Sequence, residues 1–312
     1  MLGKRKIGLA LSSGMARGWA HIGALRALGR LGVEFDVIAG ASAGALVGGC
    51  FLAGKLDELE EWASALNRRR IMSYLDLQLG YGGLIKGDRL RAELRHALGP
   101  SRIETLPIPF VAVATDLVTG HEIWLQKGDL ADALRASFSL PGLFPPIEVD
   151  GRWLADGALV DPLPVAACRA LGAEMVIAVN LNTDIIGKSR DAARLPASMG
   201  DPVSMTQDKQ KPFMSALTES LTRGLFRRDP DRPSIFGVMT TSLGIMQDRL
   251  TRSRLAGDPP DVHITPRVGH IGLVEFDRTE EAVREGEEAV ERRRDEILDA
   301  LEVMRLIGGA SL

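Results

Sequence analysis

Gly40-Ala41-Ser42-Ala43-Gly44 is the stretch whose residue types and spacing most directly offer chemistry. It fits G-x-S-x-G, in which a serine rides a sharp strand-to-helix turn and small flanking residues let neighbouring chain approach closely. A helix starting there points its positive end at the serine oxygen, which favours a developing alkoxide or oxyanion. Read alone, the same residues would also make a tight small-residue turn with a packing serine. Ser12-Ser13-Gly14-Met15-Ala16-Arg17-Gly18 is a second such stretch. A Gly/Ala-rich turn between a strand and a helix supplies backbone N–H donors from a fixed loop, as the oxyanion of acyl transfer requires. It could equally be an anion-binding helix start, although no G-x-G-x-x-G accompanies it. Asp156-Gly157 is the third. An aspartate near its ordinary pKa of about 3.9 is a poor base at neutral pH. It becomes useful when desolvated within hydrogen-bond reach of a serine hydroxyl. Asp-Gly is also an ordinary turn, and Asp150-Gly151 is predicted to be one.

The elements around these residues agree with a positioning role. Ile7–Leu11 is a short apolar run that ends in a Ser/Gly turn, the pattern of a buried strand feeding a helix. Ile22, Leu25, Leu28 and Leu31 share one helical face, residues 35–39 read as a second strand, and a helix follows Ser42 to Leu52. The opening is therefore strand–helix–strand–helix, a parallel α/β start. Helices are predicted over 56–70, 88–98, 130–138 and 165–171. Strands are predicted over 110–114, 122–125 and 175–181, with a hairpin of 147–149 and 152–154 about Asp150-Gly151. Residues 80–87 read as a glycine-rich loop. Residues 185–234, richer in proline and charge, read as an insertion or lid. Beyond it come a helix over 236–250, a strand over 262–265 and one long charged helix over 277–304. The whole of 1–312 is expected to form a single domain.

Composition narrows the function classes. The chain has 312 residues, a net charge of −3 and a hydrophobic fraction of 45%. That is an ordinary globular balance with no electrostatic footprint for nucleic acid. Lys4-Arg5-Lys6 before Ile7–Leu11 superficially resembles a signal peptide, but the run is too short and lacks a clear small-residue cleavage site. No apolar stretch reaches about 18 residues. Cys50 and Cys168 read as reduced, buried thiols, which fits a cytoplasmic protein, with peripheral contact to a membrane left open.

Three blocks in order make the reading specific. Ser13-Gly14-Met15-Ala16-Arg17-Gly18 continuing into His21-Ile22-Gly23-Ala24-Leu25, the elbow at 40–44, and Asp156-Gly157-Ala158 resemble the motifs of the patatin-like phospholipase family, particularly its small bacterial members. Ala136-Ser137-Phe138-Ser139-Leu140-Pro141-Gly142-Leu143-Phe144-Pro145-Pro146 is similar to the segment that precedes the family's aspartate block. Together they cover most of residues 6–182. The resemblance implies a three-layer α/β/α fold with a central, mostly parallel sheet. It implies a Ser42 nucleophile, Asp156 as the proton acceptor without histidine, hydrolysis of lipid acyl esters, and no metal or other cofactor. Oxyanion donors are then expected among Gly14, Met15, Ala16 and Arg17, together with Ala43. The loop departs from the family in beginning Ser12-Ser13 where consecutive glycines are common, and a serine forced to φ > 0 would be strained.

Two rivals follow from the same residues. His263 and His270 come after Asp156, so a Ser…Asp…His triad order is formally available to an ordinary α/β-hydrolase. A regulatory or scaffolding protein of the same fold is the other rival. His21 is expected to bond locally, and His96 and His121 to lie on the surface. No spacing of histidine, cysteine and carboxylate suggests a metal site. Arg17 could meet a lipid phosphate or bond nearby carbonyls. Arg68-Arg69-Arg70 and Arg292-Arg293-Arg294 read as solvated helix faces. Phe213, Leu217, Leu221 and Leu225 form a stripe that suits either a core helix or a lid at a lipid surface.

Overall fold

The computed structural model of the chain describes residues 5–66, 87–183 and 235–309. The arginine run at 68–70, the insertion at 185–234 with its apolar stripe, and nearly all of the glycine-rich loop lie outside the described residues. Within them the strands are β1 (Ile7–Leu11), β2 (Val37–Ala41), β3 (Phe110–Asp116), β4 (Glu122–Leu125), β5 (Ile147–Val149), β6 (Arg152–Asp156), β7 (Met175–Val179) and β8 (Val262–Ile264). The helices are α1 (Ala20–Arg30), α2 (Ala43–Leu52), α3 (Leu56–Ser64), α4 (Asp88–Leu98), α5 (Leu130–Ser137), α6 (Val165–Ala170), α7 (Ile235–Gly257), α8 (Thr279–Glu291) and α9 (Arg294–Gly309).

The short apolar runs become strands buried on both faces, as parallel strands covered by helices must be. Hydrogen-bonded neighbours follow β5-β6-β3-β2-β1-β7-β8, with β4 a further partner of β3. Pairings from β3 through β2, β1 and β7 to β8 are parallel; those that involve β4, β5 or β6 are antiparallel. Alternate residues separate into two cores. Leu9, Leu11, Ile38, Phe110, Ile177 and Val179 pack with α1, α2, α5 and α8 on one face. Ala10, Val37, Ala39, Val111, Val113 and Val176 pack with α6 on the other. The period of two thus builds the expected three-layer α/β/α arrangement.

Several boundaries differ from expectation, three of them with consequences for the site or the surface. The second strand runs over Val37–Ala41, two residues later than predicted, so it reaches the elbow directly. Asp36 explains the late start, because its carboxylate and N–H bond the backbone of Ile7 and tie the strand entrance to β1. The helix after the insertion is longer, Ile235–Gly257. The single charged helix predicted over 277–304 breaks at Arg292-Arg293 into α8 and α9. There Arg292 pairs with Glu288, Arg293 with Glu296 and Arg294 with Glu291, which agrees with a solvated run. Cys50 and Cys168 are free and buried, and burial pushes both thiols up to about 12.

The registers of β3 carry the consequence for function. β2 pairs β3 up to Ala41↔Val113, and β6 pairs it from Ala114↔Asp156 onward. β4 overlaps both, pairing Ala112 through Thr115. One edge of a strand holds one partner per residue, so β2 and β6 lie end to end along the edge opposite β4. The last residue of each therefore meets the other: β2 arrives at Ser42 where β6 ends at Asp156.

Candidate active site

Ser42 stands between β2 and α2 with φ 54 and ψ −119. A non-glycine residue there is strained by about 1–3 kcal/mol and persists only where its surroundings enforce it. Close packing on both sides supplies that enforcement. A Cβ on Gly44 would fall 2.3 Å from the Leu11 carbonyl oxygen, and one on Gly40 2.5 Å from the Ala45 nitrogen. The elbow thus presses against the end of β1, and larger residues would push it away. The first turn of α2 sets its positive end behind the Ser42 oxygen.

Ser42 Oγ donates to Asp156 Oδ2 at 2.8 Å, and both residues are buried. Asp156 Oδ1 accepts the Ala158 N–H at 2.8 Å. Gly157 allows this turn against β3, since a Cβ there would lie 2.1 Å from the Val113 carbonyl oxygen. Thr115 Oγ1 donates to the Asp156 carbonyl at 2.7 Å. Burial raises the Asp156 carboxyl to about 7, against the opposing pull of the Ala158 N–H and the Ser42 hydroxyl. A carboxylate in that range is poised to accept a proton near neutrality.

Two serines without an assigned role brace the pair. Ser137 Oγ accepts the Ser42 N–H at 2.9 Å and donates to the Val113 carbonyl at 2.6 Å. The Ser139 carbonyl accepts the Asp156 N–H at 2.9 Å. Both belong to the segment before the aspartate block. The available signal was two serines spaced i, i+2 at the end of a helix and just before Pro141-Gly142.

The loop after β1 narrows the expected oxyanion donors. The Ala16 N–H is bound to the Leu273 carbonyl and the Arg17 N–H to that of Gly14, so neither is available. Among the described residues, no backbone hydrogen bond outside helices and strands engages the N–H groups of Gly14, Met15 or Ala43. Positive φ falls on Met15, at 50, and not on Ser12 or Ser13. The two serines are instead tied down: Ser12 Oγ accepts the Leu181 N–H, and Ser13 Oγ accepts from Asn182. Gly18 holds the loop against the elbow, because a Cβ on it would lie 2.3 Å from that of Ala43.

The Arg17 side chain is buried and donates to the carbonyls of Ile271 and Gly269, the local alternative of its two readings. His21 is buried with Nε2 against the Ser12 carbonyl at 2.8 Å, and burial lowers it to about 4. The late histidines are occupied elsewhere. His263 faces Asn180, and His270 faces Glu281. Among the described residues no group of three or more His, Cys, Asp or Glu is placed to hold a metal ion.

Ser42 and Asp156 open into a cavity of about 230 Å³. Its walls are almost wholly apolar and include Leu46, Leu59, Leu94, Phe138, Leu140 and Phe276. Such a site can hold a hydrocarbon beside the Ser42 hydroxyl and the Asp156 carboxyl in a low-dielectric pocket.

Comparison with known proteins places this three-layer α/β/α fold in a family. The chain belongs to the patatin-like phospholipase family, whose model matches residues 9–169. An uncharacterized NTE family protein of Mycobacterium tuberculosis is 47% identical over 187 residues, 60% of this chain and 52% of its own length. The patatin-like phospholipase domain-containing protein 7 of Mus musculus is 32% identical over 65% of this chain and 15% of its own. The match thus spans about half of the mycobacterial relative and a small part of the mouse protein. The crystal structure of VipD from Legionella pneumophila has the same fold, with a TM-score of 0.51 at 14% identity over 94% of this chain and 67% of VipD. Among the described residues no helix is long and apolar enough to cross a membrane.

Proposed function

We propose that this chain is a serine hydrolase of lipid acyl esters, working through a Ser42–Asp156 dyad. The observation that carries this reading is the 2.8 Å hydrogen bond from Ser42 Oγ to the raised carboxyl of Asp156 at an apolar cavity. Ser42 Oγ attacks the acyl carbonyl carbon as its proton passes to Asp156 Oδ2. The carbonyl oxygen becomes an oxyanion and takes hydrogen bonds from the N–H groups of Gly14 or Met15 and of Ala43, at the positive end of α2. The oxyanion collapses, Asp156 returns the proton to the departing alcohol oxygen, and an acyl ester on Ser42 remains. Water then attacks that ester while Asp156 takes its proton, the second oxyanion collapses as Asp156 returns the proton to Ser42 Oγ, and the carboxylic acid leaves.

A histidine is unnecessary in this scheme because burial has already moved the aspartate into the range of a useful base. Peripheral contact with a lipid surface is part of the proposal. Leu117 and Trp153 are joined by a backbone hydrogen bond, and with Val118 they expose apolar side chains, Val118 by 80%. Hydrolysis of a panel of acyl esters by wild type and Ser42→Ala tests the reading. Turnover of at least one ester that Ser42→Ala abolishes is expected, and equal turnover by the two would overturn it.

A further inference from the structure

The cavity at Ser42 has a direction. It touches α2 at Ala43, Leu46 and Cys50, spaced i, i+3 and i+7, which is one stripe of a helix. Seven residues of helix advance about 10 Å, the reach of about eight carbons of an extended acyl chain. Lys55 and, on α3, Glu58, Leu59 and Trp62 also line the cavity. Lys55 and Glu58 are bonded at 2.8 Å, with side chains 39% and 53% exposed. The lining thus joins the Ser42–Asp156 pair, an apolar stripe of α2 and a charged pair at the surface. A polar head group against that stripe would lose its hydrogen bonds to water without replacement. The volume of about 230 Å³ lies below the 300–1,000 Å³ usual for drug-sized ligands, and so suits one slim chain.

Building on the hydrolase reading above, we propose that this cavity is a channel for a single unbranched acyl chain laid along α2. Leu46 and Cys50 set the chain-length preference, favouring chains of at least about eight carbons. Leu46 sits one turn from the nucleophile and Cys50 two, so a bulkier side chain at either would stop an acyl chain at a different depth.

The test has two arms. In the first, wild type, Leu46→Phe and Cys50→Phe hydrolyse p-nitrophenyl esters of four, eight, twelve and sixteen carbons. The twelve-to-four ratio of kcat/KM should fall at least tenfold in Cys50→Phe, and the eight-to-four ratio should also fall in Leu46→Phe. Ratios within twofold of wild type in both variants would overturn the proposal. If Cys50→Phe does not fold, Cys50→Met should still lower the twelve-to-four ratio about threefold, and a flat ratio there overturns it equally.

In the second arm, Ser42→Ala protein binds terminally brominated fatty acids of the same lengths. Trp19 and Trp62 line the cavity with ring centroids 6.2 Å apart, so bromine in the channel should quench tryptophan fluorescence. Quenching by the twelve-carbon acid that Cys50→Phe removes supports the channel even if no ester is hydrolysed, in which case only the hydrolase reading falls. Hydrolysis with flat ratios and no quenching removes the channel and leaves the hydrolase reading standing.

Discussion

Asp156 and Asp161 lie five residues apart, both buried, and burial raises both carboxyls to about 7. Their surroundings differ. Asp156 accepts a hydroxyl proton donor, Ser42, at an apolar cavity. Asp161 accepts the Leu163 N–H, with Glu122 raising its pKa further and Arg254 lowering it. A shifted pKa alone would nominate either residue, since structural networks also perturb carboxylates. Geometry separates them: of the two, Asp156 has a serine hydroxyl within hydrogen-bond reach.

Substitution should break this symmetry most strongly at the dyad. Ser42→Ala and Asp156→Asn should each lower kcat by about a thousandfold or more, with circular dichroism unchanged. Asp161→Asn should keep kcat/KM within about threefold of wild type, because its carboxyl meets no reacting atom. A loss at Asp161 equal to that at Asp156 would mean that burial, and not contact with Ser42, selects the base.

A smaller effect is expected one contact outward. Ser137→Ala removes the acceptor of the Ser42 N–H and leaves the elbow less firmly held. A loss of about tenfold in kcat is expected, near 1.4 kcal/mol in the barrier. Single-turnover kinetics on an ester that wild type hydrolyses would read it.

Acidity sharpens the comparison further. Asp156 must be ionised to accept a proton, so kcat/KM should rise with pH and level off above about 7. The linked effect on stability has the opposite sign. Each folded carboxyl binds its proton more tightly than the ordinary value of 3.8, so the folded state holds more protons between pH 4 and 7. This contribution to stability is present at the acid end and is lost as pH rises through 7. Asp161→Asn should flatten that part of the denaturation profile while leaving the activity profile in place. The smallest effect is expected at the late histidines: His263→Ala and His270→Ala should stay within about threefold of wild-type kcat/KM.

Much of the site could be read from the sequence, because its motifs report local backbone needs. A serine at a strained turn requires small neighbours at Gly40 and Gly44, and an aspartate at the end of a strand followed by a tight turn requires Gly157. The parallel α/β opening was equally legible, since short apolar strands and amphipathic helices carry different periods, whereas the three-layer order was implied by the family resemblance. What stayed hidden depends on register and on distant segments. That β2 and β6 share one edge of β3 follows from pairing alone. Ser137 and Ser139 looked like part of a turn-rich block until the fold brought them to Ser42 and Asp156. Met15, and not either serine, takes the positive φ, because Ser12 and Ser13 are held by the chain after β7. The break at Arg292-Arg293 interrupts a pattern whose charges continue evenly across it.

The most direct test of the dyad is labelling by a fluorophosphonate probe, with the modified residue mapped by peptide mass. Wild type, His263→Ala and His270→Ala should carry the adduct on Ser42 at similar rates, and Asp156→Asn should label far more slowly. An adduct on another residue, or loss of labelling in a histidine variant as complete as in Asp156→Asn, would contradict a Ser42–Asp156 dyad.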